Sequence, residues 1–216
     1  MANIDQFIQM ISVGALPILF AITLHEAAHA YAAWYFGDDT AYRLGRTSFN
    51  PLHHIEPFGT ILLPLLTLWL VNLPFGWAKP VPVDFSRLRH PKKDMLWVAI
   101  AGPASNLLMA VGWGLLGGLA AAFPGNYFAE PLSQMAVIGV FINAILLVLN
   151  MLPIPPLDGG RVTVSLLPMP YAVKLARIEP YGIWILLFLA FSGVLDVLLN
   201  PLISGVKRLI FVLSGM

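Results

Sequence analysis

The sequence predicts an all-α membrane protein, a polytopic helical bundle of about four to six spans with re-entrant or extended segments at a candidate active site. Three observations carry this reading. Of 216 residues, 58% are hydrophobic and 11% charged, with a mean hydropathy of +0.80, whereas soluble domains run at about 25% charged. The apolar residues fall into several blocks, and a span needs about 20 of them in a row. Prolines and ionisable groups interrupt those blocks, and irregular backbone at membrane depth is tolerated only where protein buries it or a wet cavity lines it. The size suits a single integral-membrane domain over 1–216, without an appended soluble module. The net charge of +1 is uninformative about nucleic acid, and no basic run suggests it, so no nucleic-acid partner is expected. With no cysteine in the chain, any bound metal must take His, Asp or Glu.

The first apolar block runs over roughly 7–36 and ends at Gly37-Asp38-Asp39. No positive n-region precedes it and no small-residue cleavage site follows, so it is expected to be a retained span, not a signal peptide. Segment 58–73 is short and carries Pro64, which fits a marginal span or a re-entrant hairpin. Residues 94–123 form a helix whose Gly102, Pro103 and further small residues suit close helix packing. Residues 132–152 form another, ended by Pro153. The block 181–213 is too long for one upright helix and is interrupted by Asn200-Pro201. It reads as one tilted span, or as a span followed by a surface helix.

Basic residues collect on the cytoplasmic side of short loops. Arg43, Arg46, Lys79, Arg87, Arg89, Lys92, Lys93, Arg161, Lys174 and Arg177 fall in 37–57, 74–93 or 153–180, and the N-terminal tail and 124–131 hold none. One topology satisfies this: N-terminus and 124–131 outside, three basic segments inside, and 58–73 entering and returning on the cytoplasmic side. If 58–73 crossed fully, 74–93 would have to cross back.

His25-Glu26-Ala27-Ala28-His29 lies within the first apolar block. Residues i and i+4 share a helix face, so His25 and His29 can bind one metal with Glu26 beside it. A zinc ion held this way lowers the pKa of a bound water to about 7, and the carboxylate then takes its proton. Ionisable side chains inside a membrane helix are costly unless paired or wetted. Three within five residues therefore need a reason, the bland one being a satisfied polar cluster between helices.

Two histidines leave a tetrahedral zinc one protein ligand short if water is to hold the open position. The best candidate is Asp158, in Asn150-Met151-Leu152-Pro153-Ile154-Pro155-Pro156-Leu157-Asp158-Gly159-Gly160. Three prolines in four positions forbid a regular helix, so the chain is expected to leave its span as an extended arm that returns a carboxylate to the metal. Alone, such an Asp reads as an ordinary cap on a membrane-edge turn; beside the histidine motif it reads as a ligand. Asp38 and Asp39 read as a helix-ending surface turn. Asp5, Glu130, Asp84 and Asp94 lie at span edges, where charge is normal. Asp196 stands in an apolar block without a metal-ligand neighbour. The cluster His53-His54-Ile55-Glu56 fits a second metal site, an access gate or a solvated loop. Asn106 and Asn150 sit where apolar residues are cheaper, as does Asn143, seven residues before Asn150 and on nearly its face. A primary amide can donate to a developing oxyanion or hold a substrate backbone, or it can simply bond between helices.

With His25-Glu26-x-x-His29, Gly102-Pro103-x-x-Asn106 and Asn150-x-x-Pro153-x-Pro155-x-Leu157-Asp158-Gly159 in that order, spread over nearly the whole chain, the sequence resembles the site-2 proteases, intramembrane zinc metalloproteases. Within that family it resembles a compact bacterial or archaeal subgroup, through Gly45-Arg46-Thr47-Ser48-Phe49-Asn50-Pro51-Leu52-His53-His54 and Gly76-Trp77-Ala78-Lys79-Pro80-Val81-Pro82-Val83. The resemblance implies one catalytic zinc on His25, His29 and Asp158, with Glu26 as general base. It implies oxyanion or substrate-positioning roles for Asn106 and Asn150, a transmembrane protein as substrate, and a multi-pass place in the cytoplasmic membrane with the site nearer the cytoplasm. Many relatives carry a PDZ or CBS module and this chain has neither, which leaves substrate selection open.

The expected chemistry is therefore peptide-bond hydrolysis in or at the edge of the bilayer. A substrate helix must unwind before attack, and 76–83, extended by its prolines, is a candidate edge for holding it by strand addition. Two alternatives remain. A transporter predicts internal repeats and paired broken helices, and no convincing repeat is present. A metal-binding protein without chemistry would not need Glu26.

Overall fold

The computed structural model describes residues 4–48, 50, 56–62, 66 and 81–216, and the described residues form helices, turns and loops. Among the described residues, four helices are long and apolar enough to cross a membrane. Helix α1 (Ile4–Tyr35) takes up the first apolar block and stays helical through Pro17. A short α2 (Thr40–Arg43) follows the glycine turn at Gly37, whose φ is +114°. Helix α3 (Pro91–Ala122) starts on a proline, which suits a first turn whose N–H groups lack intrahelical partners. Helix α4 (Ala129–Asn150) runs back alongside it.

Small residues let these helices approach. A Cβ at Gly139 would overlap the Trp113 ring, and one at Gly114 would lie 2.6 Å from Ile210 Cγ2. Of the glycines in 94–123, Gly114, Gly117 and Gly118 thus stand at close approaches to other segments, whereas Gly112 faces open space. Gly102 also stands at a helix crossing, where its neighbours are the imidazoles of α1.

After α4, residues 151–157 make successive turns, with Ile154 N–H donating to Leu152 O (2.8 Å) and Leu157 N–H to Ile154 O (3.0 Å). The expected extended arm is therefore a compact fold-back, and Asp158 opens a helix, α5 (Asp158–Leu166). Two glycines permit this. A Cβ on Gly159 would overlap the Met151 and Leu152 carbonyls, and one on Gly160 would overlap Pro155 N. Helix α6 (Met169–Ala176) follows.

The block 181–213 divides elsewhere than at Asn200-Pro201. Helix α7 (Gly182–Phe191) stops at Ser192-Gly193, where Gly193 has φ +74°, and α8 (Val194–Ser214) carries Pro201 inside it. A left-handed glycine ends a helix outright, whereas a proline within a long packed helix costs a hydrogen bond that its neighbours can offset. Ala144, Val148, Leu199 and Ile203 form one core cluster, and Ala110, Val140 and Ile210 another, so α8 runs antiparallel to α4.

Residues 81–90 strap the end of α1 to the start of α3. Arg89 N–H donates to Phe36 O (2.9 Å), and Ala33, Leu88 and Val98 pack as a third cluster. Asp38 corrects the surface-turn reading. It is fully buried and accepts from Thr40 N–H (3.0 Å) and Asp84 N–H (2.7 Å). Asp39 remains at the surface, paired with Arg43 and Arg87. Of the expected re-entrant 58–73, only 58–62, within the π-helical turn Pro57–Leu62, and Leu66 are described. His53, His54 and 76–80 of the expected clamp lie outside the described residues.

Candidate metal centre and active site

His25 and His29 are placed by one turn of α1, and each imidazole is oriented by α3. His29 Nδ1–H donates to Val98 O at 2.7 Å, and a carbonyl can only accept. His25 Nδ1 lies 2.6 Å from Asn106 Oδ1. The Asn106 amide is fixed in turn, because its Nδ2 donates to Ala21 O (3.2 Å) and to Asn143 Oδ1 (2.9 Å). Asn143 Nδ2 donates to Gly139 O (2.8 Å). The chain ends on backbone acceptors, so each amide has one allowed direction and His25 must carry its proton on Nδ1.

In the neutral imidazoles each Nε2 then presents its lone pair, and the two lie 3.1 Å apart. Asp158 reaches the same point, its Oδ2 3.3 Å from His25 Nε2 and its Oδ1 3.3 Å from His29 Nε2. Asp158 Oδ2 is buried and has no hydrogen-bond partner. Two lone pairs and a carboxylate converging in a buried place repel one another unless a cation lies between them. The separations suit one: zinc–ligand bonds of about 2.0–2.1 Å in a tetrahedron put ligand atoms about 3.3 Å apart. The donor set, two imidazoles and a carboxylate, is one that zinc takes. These three are the cluster of possible metal ligands among the described residues.

Gly102 makes room for this arrangement. A Cβ there would overlap His29 Nε2 and stand 2.6 Å from His25 Cε1. Glu26 is held from the other side, its Oε2 accepting Val81 N–H at 2.8 Å. The strap thereby brings its described end, Val81–Val83, to the site. A cleft of about 290 Å³, counting its open mouth, lies beside His29 and Asp158, walled by Val81, Val83, Phe85 and Val98. Arg161 stands at the cleft with its guanidinium over the Phe85 ring (4.7 Å) and 3.6 Å from Glu179.

The structure therefore brings together His25, His29, Asp158, Glu26 and Asn106. Asn150 is the last residue of α4, and no hydrogen bond of its side chain to the cluster is recorded among the described residues. The family resemblance implies roles for Asn106 and Asn150 and none for Asn143. Asn143 is fully buried and accepts from Asn106, whereas Asn150 borders a turn.

A sequence profile of Peptidase family M50 matches residues 114–192. The protein named "Putative zinc metalloprotease YwhC" from Bacillus subtilis is 37% identical over 88% of this chain and 85% of its own. "Putative zinc metalloprotease Rip2" of Mycobacterium tuberculosis H37Rv is 32% identical over 91% of this chain and 72% of its own. Its namesake in Mycolicibacterium smegmatis is 39% identical over 65% of this chain and 52% of its own. No solved structure matches the chain.

Proposed function

Because the chain belongs to peptidase family M50, the site-2 protease family of metalloproteases, we propose that it hydrolyses peptide bonds within or near transmembrane segments of membrane-protein substrates. One zinc ion on His25, His29 and Asp158 and the Glu26 carboxylate are the parts of this reading. The convergence of two imidazole Nε2 atoms and a buried carboxylate, one oxygen of it without a hydrogen-bond partner, beside Glu26 carries it.

Zinc in that place supplies Lewis acidity, polarising a carbonyl and bringing the pKa of water down to about 7. The chain's own groups do the rest. Glu26 takes the proton of the attacking water and returns it to the leaving amine, a general base and acid in turn. Val81 N–H occupies Glu26 Oε2, which aims the carboxylate and leaves Oε1 for the proton. Asn106 spends both amide hydrogens on Ala21 O and Asn143, so its part in catalysis is to hold His25, acting as a positioning residue. Asn150, at the end of α4, is the amide assigned to the substrate or its oxyanion. Val81 and Val83 are assigned to the cleft that receives the unwound substrate.

The basic segments set the orientation: with them in the cytoplasm, the site opens nearer that side of a bacterial or archaeal cytoplasmic membrane. The test is to purify the chain in detergent, measure zinc per protein and assay a panel of single-span substrates. Glu26→Gln should abolish cleavage and keep one zinc per chain, since Glu26 is a base and not a ligand. Turnover above a few per cent of the native rate removes Glu26 from that role.

A further inference from the structure

The chain's two remaining basic residues, Lys207 and Arg208, are not in a loop but in α8. Their depth follows from the packing. Ile203 clusters with Ala144 and Ile210 with Val140, so Lys207 lies between these levels, and its Nζ stands 4.9 Å from the Phe141 ring. Phe141 is twelve residues from the start of α4 and nine from its end, about 18 and 14 Å along the axis at 1.5 Å per residue. Lys207 and Arg208 are thus near the middle of the bilayer.

Lys207 is half-buried against Phe141, and Arg208 is exposed on a helix face shared with Leu209 (60% exposed) and Val212 (74%). No ion pair is recorded for either among the described residues. An unpaired cation at this depth is costly and marks a function or a partner. Snorkelling to headgroups does not resolve it. An extended Lys or Arg side chain reaches roughly 6–7 Å from bond lengths of about 1.5 Å, half the distance needed, and the Lys207 ammonium rests on Phe141. A second copy does not resolve it either. Copies inserted the same way present the same depth, so Lys207 would meet Lys207. The exposed acids of this chain's spans sit far off: Asp196 is eleven residues before Lys207, and Glu130 is eleven before Phe141, about 16 Å each.

We propose that the α4–α8 face around Phe141, Lys207 and Arg208 docks a transmembrane helix of another protein that carries an Asp or Glu at mid-bilayer depth. The carboxylate pairs with Lys207 and Arg208, an Arg fork accepting it in a two-point contact. The exposed apolar side chains of Val197 and Val212 (76% and 74% exposed), which share the Arg208 side of α8, pack along the partner. Nothing in this depends on the site at His25.

The experiment uses the full chain in zwitterionic vesicles with single-span Leu/Ala peptides bearing one central Glu, Gln or Lys, association being read by energy transfer. The Glu peptide should bind about three- to twentyfold tighter than the Gln peptide, the range one intramembrane polar contact gives, and the Lys peptide weakest. The double change Lys207→Leu, Arg208→Leu should erase that ranking and leave cleavage of a substrate lacking a membrane acid unchanged. Equal binding of Glu and Gln peptides to the native chain overturns the proposal without recourse to any variant. So does a ranking that survives in the double variant.

Discussion

Gly102→Ala tests whether the imidazoles of α1 depend on a missing side chain in α3. The added Cβ would stand 2.6 Å from His25 Cε1 and His29 Cε1 and closer still to His29 Nε2, against an ordinary contact that begins near 3.4 Å. The rings must therefore withdraw by about 0.8 Å or more. Metal–ligand distances tolerate about 0.2 Å, so at least one histidine leaves coordination distance. Losing an outer partner of a metal ligand typically costs 10–100-fold in affinity, and displacing a ligand itself should cost about 100-fold or more. Overpacking of this size costs about 1–3 kcal/mol of fold stability, which a bundle of this size survives. The assay is zinc affinity by chelator competition, with thermal unfolding of the metal-free protein and substrate cleavage beside it. Gly112→Ala is the control, because nothing lies within 4 Å of its added Cβ, and it should be neutral or gain up to about 1 kcal/mol from helix propensity. If Gly102→Ala keeps native zinc affinity within threefold and still cleaves, the histidines do not depend on this clearance, and the metal site does not have the geometry described.

Asp158→Ala should lower zinc occupancy together with activity; unchanged zinc stoichiometry would show that another group is the third ligand. Asn143→Leu removes the acceptor that directs the Asn106 amide, and should weaken zinc binding by about 10–100-fold while the metal-free protein melts within a few degrees of native; equal affinity in native and variant would show that the relay to His25 carries no orientation. Nitrogen NMR of the metal-free native chain gives the same answer without a variant, because His25 should carry its proton on Nδ1. Single cysteines at Ser86 and Asn126, in a chain with none of its own, should label with an impermeant reagent from opposite faces of the membrane; labelling of both from one face contradicts the orientation drawn from the basic loops.

Much of this protein is legible in one dimension because the bilayer simplifies the problem. A span must be a closed helix with an apolar surface, so α1, α3 and α4 stand out from composition alone, within a few residues of the expected 7–36, 94–123 and 132–152. The spacing of His25 and His29 is likewise local, set by 3.6 residues per turn. Asp158 was reachable because prolines and glycines announce a chain that cannot continue as a helix. What sequence could not decide is direction and contact across the bundle. That Gly193 and not Pro201 divides the last block depends on what packs against α8. That Asp38 is buried depends on a strap arriving from residue 84. Asn143 and Asn150 lie seven apart on nearly one face, and composition does not distinguish them. Only the approach of α3, with Asn106 at its middle, makes Asn143 the amide that orients His25. Only the antiparallel run of α8 along α4 gives Lys207 and Arg208 their depth. Local sequence sets which backbone each segment adopts, because propensity and solvent act residue by residue. The partners of a polar side chain come from distant residues that packing brings into reach, and those only the folded chain decides.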